Sequence, residues 1–224
     1  MTESKAVPTT KKTRVLIVDD HPLVREGIAG RISRTPDLQI CGEAASVPDA
    51  LDQVRSTRPD VAIIDLALQN SHGLDLIKQI KSHHPQIKML VCSMYEEKLY
   101  AERCLHAGAM GYVHKHELSD RVLEAIHQVL KGRIYVSDAM MEKLLHKSIS
   151  GKNEERSPID RLSDRELEIF ELIGRGLTTR QIAARLFLSI KTVETHRENI
   201  KTKLEQDNST ALNAEAVRWT LENH

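Results

Sequence analysis

The sequence predicts a doubly wound α/β domain of five βα units, (βα)5, built on a parallel sheet and followed by an all-α helix-turn-helix domain of four helices. Three observations carry this expectation. Short apolar runs alternate with amphipathic segments from Val15 to about Leu130; Asp19, Asp20, Asp65, Ser93 and Lys115 each fall at or just after the end of such a run; and no strand signal appears beyond Pro158.

The first run, Val15 to Val18 (VLIV), is short, apolar and rich in β-branched residues, and Leu23 to Ile32 follows it with helical spacing. A second strand is expected at Leu38 to Cys41, before a helix over Ala50 to Val54. The third run is Val61 to Ile64 (VAII) with a helix over Leu74 to Ile80, and the fourth is Met89 to Cys92 (MLVC) with a helix over Leu99 to Leu105. Tyr112 to Val113 and Leu118 to Leu130 complete the fifth unit. Such alternation gives a parallel sheet covered by helices on both faces. Ser148 to Ser157 (SISGKNEERS) is polar and without helical periodicity, so it reads as a linker. Ser163 to Ile173, Thr178 to Phe187, Ser189 to Leu204 and Ser209 to Leu221 all carry helical spacing. The expected division is a disordered tail over 1–12, the α/β domain over 13–131, a helical extension and linker over 132–156, and the helix-turn-helix domain over 157–224.

Composition agrees with this plan. A chain of 224 residues has room for about two cores of the commonest size, and 40% apolar residues is a globular value. No apolar run approaches the roughly 20 residues needed to cross a bilayer, and the polar stretch Thr2 to Thr13 does not resemble a signal peptide. A cytoplasmic protein with no membrane partner is expected. Cys41, Cys92 and Cys104 are odd in number and lack C-x-x-C spacing, which favours reduced thiols over metal or redox roles. The net charge is zero, so any nucleic-acid signal has to be local.

The carboxyl ends of neighbouring parallel strands converge on one crevice, where three carboxylates, a hydroxyl and an ammonium would meet. Carboxylates held a few ångströms apart are costly to ionise together without a cation, and all-oxygen ligation suits Mg²⁺. Asp65 stands alone at its strand end and is the expected nucleophile toward a phosphoryl donor, while Asp19 and Asp20 are adjacent and better suited to holding the ion. Lys115 can neutralise a phosphoryl oxygen, and Ser93 can donate a hydrogen bond to another. Taken singly, an aspartate after a strand is more often a helix cap and a lysine a solvated side chain. Five such residues at matching strand ends reverse that balance.

RVLIVDDHPLVREGI, DVAIIDLAL, MLVCSMYEE and GAMGYVHK resemble the receiver domain of two-component response regulators over roughly Thr13 to Lys131. The resemblance implies that a histidine kinase phosphorylates Asp65. It also implies that Asp20, Asp65 and the backbone carbonyl of Ala67 ligate Mg²⁺, that Asp19 acts through water, and that Ser93 and Tyr112 form the switch. Two departures from the family pattern stand out. LALQNSHG lacks the proline common after the phosphoacceptor, and Ala67 has no side chain to position an attacking water. Tyr95 and Met94, which follow Ser93, are then expected to shield the phosphoaspartate and set its lifetime.

In the second domain, Ser163-Asp-Arg-Glu166 and Thr178-Thr-Arg-Gln181 fit capping boxes, and Ser189 can cap the next segment. Two short helices joined by a tight turn make a helix-turn-helix pattern. Ile190, Val193, Ile200 and Leu204 form one apolar stripe, leaving Lys191, Thr195, Glu198 and Thr202 on the opposite face. Arg175 to Lys203 holds seven basic residues against two acidic ones, a local stripe able to neutralise phosphates. LSDRELEIFELIGRGLTTRQIAARLFLSIKTVETHRENIKTKL resembles the LuxR-type DNA-binding domain, and the two domains together resemble the NarL/FixJ subfamily of response regulators. On that resemblance Thr178 to Arg197 is the helix-turn-helix. Glu194, Thr195 and Glu198 align with base-facing positions, and Lys191, Thr192, Arg197 and Lys201 align with phosphate contacts. A glutamate there either accepts from cytosine N4 or lies at the rim and repels phosphates. The last helix either finishes the core or pairs two copies. The family uses it for dimerisation, and Trp219 is read as core.

The resulting expectation is a transcriptional regulator, not an enzyme, that couples phosphorylation of Asp65 to binding of promoter DNA, as a homodimer, with RNA polymerase admitted as a further partner. Two rivals are weighed. A metal-dependent phosphatase would carry a second aspartate two residues past its nucleophile, where this chain has Ala67. A DNA-binding protein with a phosphate-independent receiver would need none of the acidic residues that are present.

Overall fold

The computed structural model describes residues 12–68, 71–150 and 158–223. Its described residues fall into two compact units, one of 12–68 and 75–136, the other of 71–74, 137–150 and 158–223. The expected disordered tail lies, apart from Lys12, outside the described residues, as does most of the expected linker.

In the first unit, β1 (Thr13–Val18), β2 (Leu38–Ala44), β3 (Val61–Ile64), β4 (Lys88–Ser93) and β5 (Gly111–His114) form one sheet in the order β2-β1-β3-β4-β5. Every neighbouring pair is parallel, as βα alternation requires. The order reverses between β1 and β3, and such a switch point opens a crevice at the carboxyl ends of the strands. Helices α1 (Pro22–Ser33), α2 (Val47–Thr57), α3 (Gly73–His83), α4 (Glu97–Ala107) and α5 (Leu118–Leu130) connect or flank them. Pro22 starts α1 where its missing N–H costs nothing. Ser46 Oγ accepts from the Asp49 N–H at the start of α2, and Gly108 ends α4 with φ of 116°. One core face joins Val15, Ile17, Ile63 and Cys92 of the sheet to Ile28 and Ile32 of α1 and to Val122, Ile126 and Val129 of α5. Ala50, Val54, Ile77, Ile80 and Tyr100 of α2, α3 and α4 are buried outside that cluster.

Strand β2 is three residues longer than expected. Gly42 and Glu43 carry no strand signal, yet the chain stays paired through a register shift opposite Val15 and Leu16. A second feature without a periodic signature lies past α5. The Tyr135 N–H donates to Met110 O at 3.0 Å and its carbonyl accepts from the Tyr112 N–H at 2.8 Å, so this residue extends the sheet beyond β5. Gly111 permits this approach, because a Cβ there would lie 2.9 Å from both Leu90 Cδ1 and Tyr135 O.

The second unit contains α6 (Asp138–Ser150), α7 (Asp164–Gly174), α8 (Thr179–Arg185), α9 (Ile190–Lys203) and α10 (Ser209–Asn223). Ser148–Ser150, expected in the linker, instead complete the last turn of α6, since no glycine or proline interrupts the chain before Gly151. Both capping boxes form: Glu166 N–H to Ser163 Oγ and Ser163 N–H to Glu166 Oε2, then Gln181 N–H to Thr178 Oγ1 and Thr178 N–H to Gln181 Oε1. Phe170 of α7 packs on Trp219 of α10 with ring centroids 5.5 Å apart. Of the expected stripe on α9, Val193, Ile200 and Leu204 are buried, whereas Ile190 is 44% exposed. Being the first residue of its helix, Ile190 lies beyond the packed turns.

Candidate functional site

Ladder hydrogen bonds continue one residue past the strand ends and fix the backbone of the acidic crevice: the Asp19 N–H donates to Ala44 O and the Asp65 N–H to Val18 O. Both side chains are buried, as is the Ser93 side chain, and Lys115 closes the cluster from the end of β5. Lys115 Nζ lies 2.7 Å from Asp19 Oδ2 and 2.6 Å from Asp65 Oδ2. All five sequence-predicted crevice residues therefore converge, with Asp20 at the rim.

Electrostatics there are those of a desolvated site. Burial pushes the Asp65 carboxyl up to about 6, with Lys115 opposing this and Asp19 adding to it. Burial alone would lower the Lys115 ammonium, but Asp65 and Asp19 beside it hold it above its ordinary value. Among the described residues, Asp65 Oδ1 has no hydrogen-bond partner although it is buried. A buried ionised oxygen of this kind needs a cation or another donor. One donor atom from each of Asp19, Asp20, His21 and Asp65 lies within 4.8 Å of all the others. The acidic cluster thus fits a divalent ion. Sequence reasoning did not name His21; its position directly after the acidic pair was the available signal.

Ser93 and Tyr112, the pair expected to form a switch, are also close by. Ser93 Oγ accepts from the Tyr95 N–H at 3.4 Å. The Tyr112 ring is buried, its hydroxyl donates to Tyr95 O at 2.7 Å, and burial pushes that hydroxyl well above its usual value. Tyr95 stacks on Tyr100 at 4.8 Å, while Met94 is half exposed. Ala67 begins a two-residue extended segment, Ala67–Leu68.

On the helix-turn-helix, Lys191, Thr195, Glu198 and Thr202 are all exposed on α9, as the amphipathic pattern required, and so is Glu194. Two of the basic side chains are already engaged. Lys201 Nζ pairs with Glu198 Oε2 at 2.7 Å, and Arg197 donates to Asn213 Oδ1 of α10 at 2.8 Å. Thr192 shares a 2.7 Å hydroxyl contact with the cap residue Ser189.

Comparison with known proteins accounts for both units. Residues 15–127 match the response regulator receiver domain, and residues 160–216 match the bacterial regulatory proteins of the luxR family. The oxygen regulatory protein NreC of Staphylococcus aureus (strain JH9) is 34% identical over 196 residues, covering 85% of this chain and 90% of that protein. A solved structure of RcsB from Salmonella enterica serovar Typhimurium, bound to promoter rprA in the presence of the phosphomimetic BeF3−, aligns with a TM-score of 0.60 and 26% identity. It covers 91% of this chain and 98% of its own. A structure of two RcsB dimers bound to two parallel DNAs aligns with a TM-score of 0.56 and 27% identity, over 95% and 99%. No helix among the described residues is long and apolar enough to cross a membrane. The chain belongs to the two-component response regulators that join a receiver domain to a LuxR-type helix-turn-helix, a family of DNA-binding transcriptional regulators and not of enzymes.

Proposed function

We propose that Asp65 is the phosphoacceptor and that its phosphorylation by a histidine kinase switches promoter binding by α9. The observation that carries this reading is the Lys115 bridge, which holds two buried carboxylates together while Asp65 Oδ1 has no hydrogen-bond partner among the described residues. In the transfer, a carboxylate oxygen of Asp65 forms a bond to phosphorus as the phosphorus–nitrogen bond of the kinase phosphohistidine breaks; the imidazole leaves with that electron pair. Asp19, Asp20 and Asp65, with the carbonyl of Ala67, would hold Mg²⁺, which supplies charge neutralisation at the phosphoryl oxygens when bound. Lys115 then exchanges a carboxylate for a phosphoryl oxygen, and Ser93 donates to another. Tyr112 lies inward in this structure, the arrangement the switch reading assigns to the phosphorylated state. Tyr95 and Met94 border Ser93 and shield the acyl phosphate from water.

The DNA-facing set is Lys191, Thr192, Glu194, Thr195, Arg197, Glu198 and Lys201, with the first two and both Arg197 and Lys201 on phosphates. The domain limits are 13–131 and 157–224. A homodimer on DNA is proposed by likeness to the RcsB dimers, with the exposed Val217 and Leu221 of α10 as the apolar contact. RNA polymerase is a partner of the same reading.

The test is DNA binding by wild type and Asp65→Ala, each with and without beryllofluoride and Mg²⁺. Beryllofluoride should alter the affinity of wild type and leave Asp65→Ala unmoved. Equal binding under all four conditions would favour a phosphate-independent receiver.

A further inference from the structure

The Mg²⁺ reading leaves one side chain of the acidic crevice unused. His21 Nδ1 is 2.7 Å from Asp20 Oδ1 and 3.2 Å from Asp19 Oδ1. For metal bonds of about 2.1 Å, ligands at right angles sit about 3 Å apart. The three atoms are paired directly here, and their separations also match those of adjacent ligands around one ion. The backbone holds them: His21 is the extended residue before α1, its N–H donates to Asp19 Oδ1 at 2.9 Å, and Pro22 stiffens the turn that follows.

The carboxylate oxygens divide into two sets. Lys115 takes Oδ2 of both Asp19 and Asp65. That leaves Asp19 Oδ1 beside His21 and Asp65 Oδ1 buried, with no hydrogen-bond partner among the described residues. Asp65 is only 2% exposed, so that oxygen is withdrawn from bulk solvent. The His21 side chain, by contrast, is 62% exposed and reaches Asp19 Oδ1 and Asp20 Oδ1 from the solvent side, with a donor atom of Asp65 within 4.8 Å.

We infer that His21 is a nitrogen ligand of this pocket and sets its selectivity among divalent ions. Mg²⁺ is a hard ion that favours oxygen, whereas imidazole suits Zn²⁺ and its neighbours in the first transition row. Three carboxylates with one imidazole form a mixed donor set, which raises the affinity for Zn²⁺ relative to Mg²⁺. Zn²⁺ then competes for the site that phosphorylation uses. The inference rests on the divalent-ion reading of the crevice given above.

The experiment uses the full chain at pH 8, with Mn²⁺ as the bound probe. Pulsed electron paramagnetic resonance reads nitrogen coupling to Mn²⁺, and Mg²⁺ or Zn²⁺ is titrated to displace it. Wild type should show the nitrogen signal and His21→Ala should lose it. The Zn²⁺ concentration needed for displacement should rise about 10- to 100-fold in His21→Ala, while that of Mg²⁺ changes less than about threefold. The His21 side chain makes no cap hydrogen bond to α1, so the helix start does not depend on it. Absence of nitrogen coupling in wild type, or equal shifts for the two ions, would overturn the inference alone. Failure of wild type to bind Mn²⁺, or undiminished binding in Asp20→Asn, would overturn the divalent-ion reading and this inference with it.

Discussion

At the strand ends of the α/β unit, Asp19, Asp65, Ser93 and Lys115 are withdrawn from water, whereas on α9 Lys191, Glu194, Thr195 and Glu198 are immersed in it. The difference follows from what each surface does. A phosphoryl site works by fixed charges in a low dielectric, where each interaction is strong and an unpaired group is costly. A nucleic-acid surface works by exchanging solvated counterions, and there salt screens each charge. Charge removal should therefore unfold the first region and retune the second.

The largest effect is expected at Lys115. Its removal leaves two buried carboxylates facing each other, and breaking a buried ion pair costs about 3–5 kcal/mol. Lys115→Ala should lose about 3 kcal/mol in urea unfolding at pH 8 with chelator present. The pH dependence has a definite sign. Asp65 already titrates at about 6 in the fold, above the unfolded value of 3.8. The unfolded chain then binds fewer protons across pH 4 to 6, so this group's contribution to stability falls as pH rises through that window and levels off above it. Without Lys115 the window extends upward, so the deficit of the variant should shrink between pH 8 and pH 5. A deficit independent of pH would mean that Lys115 acts through its packed methylenes.

The helical unit should break at packing instead. A Cβ on Gly174 would overlap Thr220 Oγ1 and the backbone oxygen of Ala216, where α7 crosses α10. Backbone cannot give way as a side chain does, so Gly174→Ala should cost about 2 kcal/mol despite its better helix propensity. Trp219, the single tryptophan, sits on α10 against Phe170 and reports this transition by fluorescence.

The two regions were also unequally legible in the sequence. In the receiver, charged residues directly after apolar runs are conspicuous, and the parallel topology leaves them one place to meet; all five converge. His21 was passed over because an imidazole beside two aspartates adds nothing to an all-oxygen argument until distances are known. The Tyr135 extension of the sheet is a single-residue pairing and leaves no periodic trace. On α9 the exposed face was recovered, but the engagement of Lys201 with Glu198 and of Arg197 with Asn213 depends on rotamers and on a helix far along the chain. A helical pattern gives faces; it does not give partners.

A smaller effect tests whether any charge in the helical unit behaves like those of the receiver. Glu166 is buried at the start of α7, where it accepts from the Ser163 N–H and pairs with Lys203 of α9. Burial raises its carboxyl, but Lys203 and Ser163 more than offset this and hold it below its ordinary value. Its contribution is therefore present above the unfolded value of 4.5 and is lost as pH falls through the lower folded value. Glu166→Gln should cost about 1 kcal/mol at pH 7, and the gap should close as pH falls through the folded value. A gap that widens in acid would assign the cost to the amide and not to the lost charge.

The smallest effects concern the helix ends of the same unit. After α7, α8 and α9 the chain closes with one hydrogen-bond pattern: Leu177 N–H to Leu172 O, Leu188 N–H to Ala183 O, and Gln206 N–H to Lys201 O. This closure places one residue in the left-handed region each time, at φ of 81° for Gly176, 53° for Phe187 and 55° for Glu205. Only the first is a glycine. A Cβ in that conformation costs about 1 kcal/mol, against which glycine loosens the unfolded chain by a somewhat smaller amount. Phe187→Gly and Glu205→Gly should each stabilise the unit by about 0.5 kcal/mol in Trp219-monitored unfolding. Phe187 is 59% exposed, so its ring has little burial to lose. If Glu205→Gly stabilises and Phe187→Gly does not, the Phe187 ring contributes packing in the turn before α9 that offsets its strain, and the turn is held from its surface as well as from its backbone.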